Sequence, residues 1–185
     1  FSTLYQKAME GDKDCGGMIA CNYYSGEPVT GLEEGRPMFL RRPDSHLGLA
    51  NFMRSHLYAS LVTLKIGLDI LLKEEDVKID SITGHGGLFK TKGVGQSILA
   101  AAMNAPISVM ETAGEGGAWG MALLAAYMLF KKDGQSLGDY LDSRVFAERK
   151  SETMEPDPAD VAGFETYTKQ YQACLAAEKA AVQAF

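Results

Sequence analysis

The 185 residues carry 46% hydrophobic and 23% charged side chains, enough apolar material for one domain with its own core and too much for a disordered chain. Eighteen Lys and Arg against 24 Asp and Glu leave a formal charge of −6, which disfavours nucleic acid and anionic membrane as partners and points to a small soluble ligand. Cys15, Cys21 and Cys174 are odd in number, form no CxxC and have no histidine cluster beside them, the pattern of reduced thiols in a cytoplasmic protein.

In chain order, Phe1, Leu4, Tyr5 and Ala8 recur at helical spacing and predict a short surface helix closed by Gly11 and Asp12. This start is neither basic-then-apolar nor begun by methionine, so a leader is not expected and a fragment is. Met18 to Tyr24 predicts a strand, and Ser25-Gly26-Glu27-Pro28 opens a loop to about Leu47 that holds Glu27, Arg36, Arg41 and Arg42. A loop of that length in a compact domain is expected to be functional or to touch another domain. Leu49 to Lys73 predicts the strongest helix, with Met53, Leu57, Leu61, Leu64, Leu68 and Leu71 on its buried stripe and Arg54, Lys65 and Asp69 off it. No apolar run is expected to reach membrane length.

The centre of the chain states one idea twice. Val77, Ile79 and Ile82 alternate with Lys78 and Asp80, stop at Gly84-His85-Gly86-Gly87, and give way to Val94, Ile98, Leu99 and Ala102 at helical spacing. Ile107, Val109 and Met110 then stop at Gly114-Glu115-Gly116-Gly117, followed by Met121, Leu124, Ala125 and Met128. Strand, glycine turn and helix, repeated, predict an α/β fold with two parallel strands joined by a right-handed crossover. Gly84 to Gly87 should end a central strand and Gly114 to Gly117 its parallel neighbour. Both turns then fall on the carboxyl edge, where such sheets bind ligands. Beyond this unit Ser136 and Asp139 predict a capped helix through Phe146, Ala147 to Pro158 a connector, and Val161, Phe164, Tyr167, Tyr171, Cys174, Leu175 and Val182 a closing helix.

Neither glycine cluster completes a dinucleotide fingerprint, since Phe89 and Trp119 stand where a third glycine belongs, and neither is a Walker loop. Each could simply shape a tight turn. Two at equivalent strand ends favour an anion bound by backbone N–H groups and helix dipoles. His85 reads as a general base or as a solvent-facing turn residue, Trp119 as a packing residue or a pocket wall, and Glu111 and Glu115 as metal-bridging or merely solvated. His46 and His56 have no carboxylate or cysteine at ligand spacing, so zinc is not expected. Met103, Met121 and Met128 read as core.

Four stretches carry a family likeness. Tyr24-Ser25-Gly26-Glu27 resembles a Leu-Ser-Gly-Glu turn, and Gly48-Leu49 through His56-Leu57 and Ser60 resembles a second signature. Gly86-Gly87 with the helix to Asn104 and Pro106 resembles a nucleotide-binding turn, and Gly117-Ala118-Trp119-Gly120 through Ala125 resembles a Gly-Ala-x-Gly-x-Ala helix start. Pro156-Asp157-Pro158 before an aromatic helix matches the usual ending. Together they resemble the C-terminal lobe of an FGGY-type carbohydrate kinase, nearest the ribulokinase and xylulokinase type of pentulose kinase. Val62 or Thr63 replaces an acidic residue of the second signature, and Ser97 and Ala101 replace a Gln and an Asp.

The resemblance implies an actin-like (ribonuclease-H-like) ATPase lobe over residues 1–185, truncated at its N-terminal side, with a mostly parallel sheet flanked by helices. It implies ATP with Mg2+, contacts to ribose or α-phosphate at Gly86 and Gly87, an adenine border at Leu88 and Thr91, and a further contact at Gly117. The catalytic aspartate and most sugar contacts would lie in the absent N-terminal lobe, so no catalytic residue is assigned here and the chain alone should be inactive. The sequence leaves the sugar and the oligomeric state open, a homodimer included. The rival reading is a non-catalytic nucleotide-binding or assembly module of the same superfamily.

Overall fold

The structure, a computed structural model, describes residues 1–79, 82–110, 116–147 and 151–184. Asp80, Glu111, Gly114 and Glu115, which the sequence reading used, lie outside the described residues.

The first third of the chain builds a helix and a hairpin-like pair. Helix α1 (Ser2–Ala8) precedes strand β1 (Met18–Cys21), all four of whose residues are buried. Strand β2 (Met38–Arg41) pairs antiparallel with β1, Met18 opposite Arg41 and Cys21 opposite Met38. It occupies the stretch read as loop. Four residues between Pro37 and Pro43 are too few to show alternation, and the partner strand supplies the pairing that propensity does not. The rest of that loop is tied locally and at a distance: Glu27 accepts the Val29 N–H at 3.0 Å, Arg36 pairs with Glu34 at 3.2 Å and Arg42 with Asp44 at 3.2 Å, while the Arg36 N–H donates to the buried Glu178 carboxylate at 2.6 Å.

Helix α2 (Leu49–Lys73) packs against α1 and β1, with its expected boundaries but not its expected face. Leu57 and Leu61 are buried, yet Leu64 and Leu71 are exposed while Arg54 and Lys65 are 1% and 9% exposed. Both cations are paired inside the protein, which makes their burial tolerable. Arg54 donates to Asp160 and, at 2.9 and 3.1 Å, to the Tyr58 hydroxyl, and Lys65 pairs with Asp69. Burial works against the Arg54 charge, but Tyr58 and Asp160 hold the guanidinium pKa above its ordinary value. Contrary to expectation, Leu49–Leu72 is long and apolar enough to cross a membrane, with mean hydropathy 1.3. Its buried charges and its packing on α1, β1 and the two later helices over 94–103 and 158–184 make it a core helix.

The second sheet has the order β3-β4-β5. Strand β3 (Ile82–Gly84) runs parallel to β4 (Ile107–Met110), and helix α3 (Val94–Met103) is the crossover between them. The parallel βαβ unit is therefore as predicted, although β3 is an edge and β4 the centre. Strand β5 (Ser151–Met154) pairs antiparallel with β4 and falls inside the stretch read as a connector. Among the described strands one pairing is parallel and two are antiparallel, fewer parallel contacts than expected. The reason is that both short return strands hide among charged and proline-bearing residues.

Helix α3 is buried over nearly its whole length, and helix α6 (Pro158–Ala184) lies across it with Phe164, Tyr167 and Tyr171 in the common core. Helix α4 (Gly116–Phe130) behaves differently, with no buried residue and with Met121 and Met128 69% and 77% exposed rather than in the core. Its neighbour is α5 (Leu137–Tyr140), which continues as a wider turn over Leu141–Val145. Ser136 caps α5 as predicted, its hydroxyl accepting the Asp139 N–H at 3.1 Å.

Candidate functional site

Because β3 and β4 are parallel, Gly84 and Met110, their last residues, lie on one carboxyl edge. At Gly84 a Cβ would sit 2.4 Å from ring carbons of Phe89, so only glycine lets Phe89 fold back over the strand end. Gly86 has φ 105° and ψ −175°, a conformation that excludes side chains, and it opens a 3-10 turn over Gly87–Lys90. At Gly87 nothing lies within 4 Å of an added Cβ. His85 is exposed and approaches the second turn, since a Cβ at Gly116 would lie 3.1 Å from its Nδ1. The first glycine turn thus lies beside the start of α4, and Gly117 sits exposed and uncrowded on its first turn. The amino terminus of α4 carries the positive end of the helix dipole.

Beside the turns lies a cavity of about 470 Å³ walled by Phe89, Lys90, Thr91, Lys92, Gln96, Val109, Met110, Ser151 and Glu152. Lys92 pairs with Glu152 at 3.2 Å. Gln96, buried on α3, donates to the carbonyls of Ile107 and Glu152 at 2.7 Å each and so fixes the β4 and β5 backbones that floor the cavity. Thr91 is only 7% exposed, and its hydroxyl donates to the Ser2 hydroxyl at 3.4 Å. Gln6 donates to the Lys92 carbonyl at 3.2 Å, so α1 steadies the same turn.

Of the five residues singled out by resemblance, Gly86, Gly87 and Gly117 lie on this edge, and Thr91 lines the cavity. Leu88 does not join Thr91. It lines a separate apolar groove with Leu61, Leu64, Leu99 and Met103, because the 3-10 turn ends at Lys90 and Thr91 is already extended, out of the register that would eclipse it with Leu88. Lys90, Lys92, Gln96, Ser151 and Glu152 were not anticipated. The lysines carried a legible signal, two cations within six residues of a glycine turn, whereas Ser151 and Glu152 arrive through the strand hidden in the connector.

Other candidate groups are committed elsewhere. His46 does have a carboxylate partner, Asp12, 34 positions away, at 2.9 Å, and Asn51 donates to the same Asp12 oxygen at 3.0 Å. Hydrogen bonds from His46 and Asn51 hold the Asp12 carboxyl below its usual pKa. Asp14 accepts the Gly16 N–H at 3.0 Å, and His56, its pKa lowered by burial, faces Asn22 at 3.2 Å. Burial pushes the Cys21 thiol up to about 12 and Cys15 and Cys174 upward as well, so none of the three free cysteines is a ready nucleophile. Among the described residues no group of three or more His, Cys, Asp or Glu converges to hold a metal.

The fold around this edge is that of the actin-like, ribonuclease-H-like ATPases. The chain belongs to the FGGY family of carbohydrate kinases, whose C-terminal domain profile matches residues 2–129. Similar solved structures include a ligand-bound xylulose kinase from Lactobacillus acidophilus, with 19% identity and TM-score 0.71 over 94% of this chain and 34% of that one. A gluconate kinase from the same organism gives 18% and 0.70 over 94% and 34%. A Plasmodium falciparum glycerol kinase with ADP gives 17% and 0.67 over 96% and 33%. The chain spans about a third of the length of these structures, and at such identities the likeness establishes the fold. No curated protein matches the chain.

Proposed function

We propose that this chain is the nucleotide-holding lobe of an ATP-dependent carbohydrate kinase that moves the γ-phosphate of ATP to a hydroxyl of a pentulose. The observation that carries the reading is the closeness of the first glycine turn to the amino end of α4, with Gly86, Gly87 and Gly117 uncrowded, beside a cavity with two lysines. The backbone N–H groups of Gly86 and Gly87 meet the ribose or α-phosphate, and the amino terminus of α4 at Gly117 draws the phosphate chain by its dipole. Thr91 borders the base from the cavity, while Leu88 acts from the groove behind the turn. Family membership supports a sugar substrate and a cytoplasmic place. Pentulose rests on the ribulokinase-like and xylulokinase-like signatures, since the solved relatives include xylulose, gluconate and glycerol kinases.

Magnesium is the metal such a reaction uses, bridging and neutralising the phosphates. The described residues offer no cluster to hold it, so no step is assigned to a metal ligand of this chain. The catalytic aspartate and most sugar contacts would belong to the other lobe of the kinase, and closure of the two lobes would exclude water before transfer.

Calorimetry with ADP and a coupled ADP-release assay test this together. The 185-residue chain is expected to bind ADP without turning over any sugar, and a full-length parent to release ADP in the presence of ribulose or xylulose. Failure of the chain to bind ADP would overturn the nucleotide site, turnover with gluconate or glycerol alone would overturn the pentulose, and filament formation without sugar-dependent turnover would favour an assembly module.

A further inference from the structure

Residues two apart on a strand share a face, and residues opposite each other on paired strands share it too. Ile19 of β1 stands opposite Leu40 of β2, so Gly17 and Ile19 on one side and Leu40 and Arg42 on the other look the same way. Helix α6 faces them there with Gln170, Ala173 and Cys174, and a cavity of about 350 Å³ is left between. Arg41, the exposed last residue of β2, lines it as well.

The two arginines are held differently. A Cβ on Gly17, whose φ is 75°, would lie 3.0 and 3.2 Å from Arg42 Nη2 and Nε, so the guanidinium rests against backbone that carries no side chain. The turn that delivers it is fastened: the Arg42 N–H donates to the Ser45 hydroxyl at 2.8 Å, and that hydroxyl donates to the Gly17 carbonyl at 2.8 Å. Asp44 takes the Arg42 Nε at 3.2 Å, and both Nη groups are left without a partner among the described residues. The Arg41 side chain has no partner at all among the described residues. No carboxylate lines the cavity, although the chain as a whole carries −6. Ile19, 4% exposed, with Leu40 and Cys174 makes an apolar floor beneath the two cations.

We propose that this cavity binds a small organic oxyanion, a phosphate monoester or a carboxylate with a short apolar body, its oxygens on Arg41 and Arg42 and its body on Ile19, Leu40 and Cys174. A guanidinium fork matches two oxygens of either group. A cavity of about 150 Å³ takes a benzene ring, so the volume here suffices for a ring with an anionic group attached. The apolar floor selects against bare inorganic phosphate, which leaves it wet. The cavity shares no residue with the one beside the glycine turns, so the proposal stands apart from the nucleotide reading. Once bound, the molecule joins the end of β2 to α6.

Calorimetry in phosphate-free buffer, with phenyl phosphate, benzoate, inorganic phosphate and phenol as probes, tests this on the 185-residue chain and on a full-length parent. Phenyl phosphate or benzoate is expected to bind about tenfold tighter than inorganic phosphate, because only they cover the floor, and phenol is expected not to bind. The tighter of the first two names the oxyanion. Arg41→Ala should weaken binding about threefold to fivefold, as loss of an exposed charge contact does, and Arg41→Glu should abolish it. Ala173→Trp, which fills the cavity from α6, should abolish it too, whereas Lys132→Ala, exposed beyond α4, should change nothing. Added salt should weaken binding, and saturating ADP should not compete. If Ala173→Trp alters the circular dichroism, Arg41→Glu decides, since that side chain supports no contact of the fold. Absence of binding by phenyl phosphate and benzoate, inorganic phosphate or phenol binding as tightly as they do, or equal affinity in Arg41→Glu and wild type would overturn the proposal. So would displacement by ADP, or binding by the chain that is lost in the full-length parent because the remaining length fills the cavity.

Discussion

Gly86 and Gly87 stand side by side, yet substituting them should separate two kinds of loss. Gly86 holds φ 105° and ψ −175°, so Gly86→Ala strains the backbone whatever is bound, by about 1–3 kcal/mol. For a domain of this size that lowers Tm by about 2–12 °C. Gly87 has ordinary backbone angles and nothing within 4 Å of a new Cβ, so Gly87→Val should leave stability within about 0.5 kcal/mol. If a nucleotide phosphate lies against the Gly87 N–H, the valine holds it away. The loss of one hydrogen bond to a charged group, about 1.5–3 kcal/mol, weakens ADP about tenfold to a hundredfold. His85→Ala, which removes an exposed side chain, should change neither quantity. Thermal melts and calorimetry with ADP on the three variants provide the measurement. Equal losses of affinity at His85→Ala and Gly87→Val, or unchanged affinity at Gly87→Val, would refute the argument that the backbone makes the contact.

The buried Arg54 and Asp160 pair predicts that Asp160→Ala costs about 3–5 kcal/mol in urea unfolding, because it strands a guanidinium that is 1% exposed. Replacing both, as Arg54→Met with Asp160→Leu, should recover most of that loss, and a double variant as unstable as the single one would count against the electrostatic account. Asp12 has its pKa lowered from 3.8 by His46 and Asn51, so its contribution to stability is present above pH 3.8 and is lost as pH falls through the lower native value. The difference in Tm between wild type and Asp12→Asn should close on acidification, and a difference that persists unchanged at the lowest pH would refute the assignment. Ser136→Ala should cost about 1 kcal/mol by uncapping α5, read from thermal melts, with Ser136→Thr, which keeps a hydroxyl to accept the Asp139 N–H and donate to its carboxylate, restoring most of it.

What the sequence disclosed and what it hid divide along physical lines. The long helices α2 and α6, the crossover α3 and the parallel pair β3 and β4 were legible because burial on one face writes a period into ten or more residues, or because glycine marks a strand end. Strands β2 and β5 left no such trace. Each is four residues long, and its conformation comes from the partner strand. The burial of Arg54 was invisible for a related reason: apolarity marks most buried positions, but this charge is buried where a distant partner waits, Asp160, 106 positions away. At the site, glycines declared the turns and the lysines followed closely behind them. The separation of Leu88 from Thr91 needed the geometry of the 3-10 turn, and the floor of the cavity needed β5.

Gln96 changes what counts as a mild substitution near that floor. Both hydrogens of its amide nitrogen are engaged, one by each of two strands. Glutamate has the same length and nearly the same shape, and by the usual tables of exchange it is among the gentlest replacements. Here it would set a carboxylate against two carbonyl oxygens, turning the rivet between β4 and β5 into a wedge. Methionine, which looks cruder on paper, would leave the two carbonyls without a partner but would not push them apart. Drift at this position should therefore run through apolar residues before it ever reaches the acid that most resembles it.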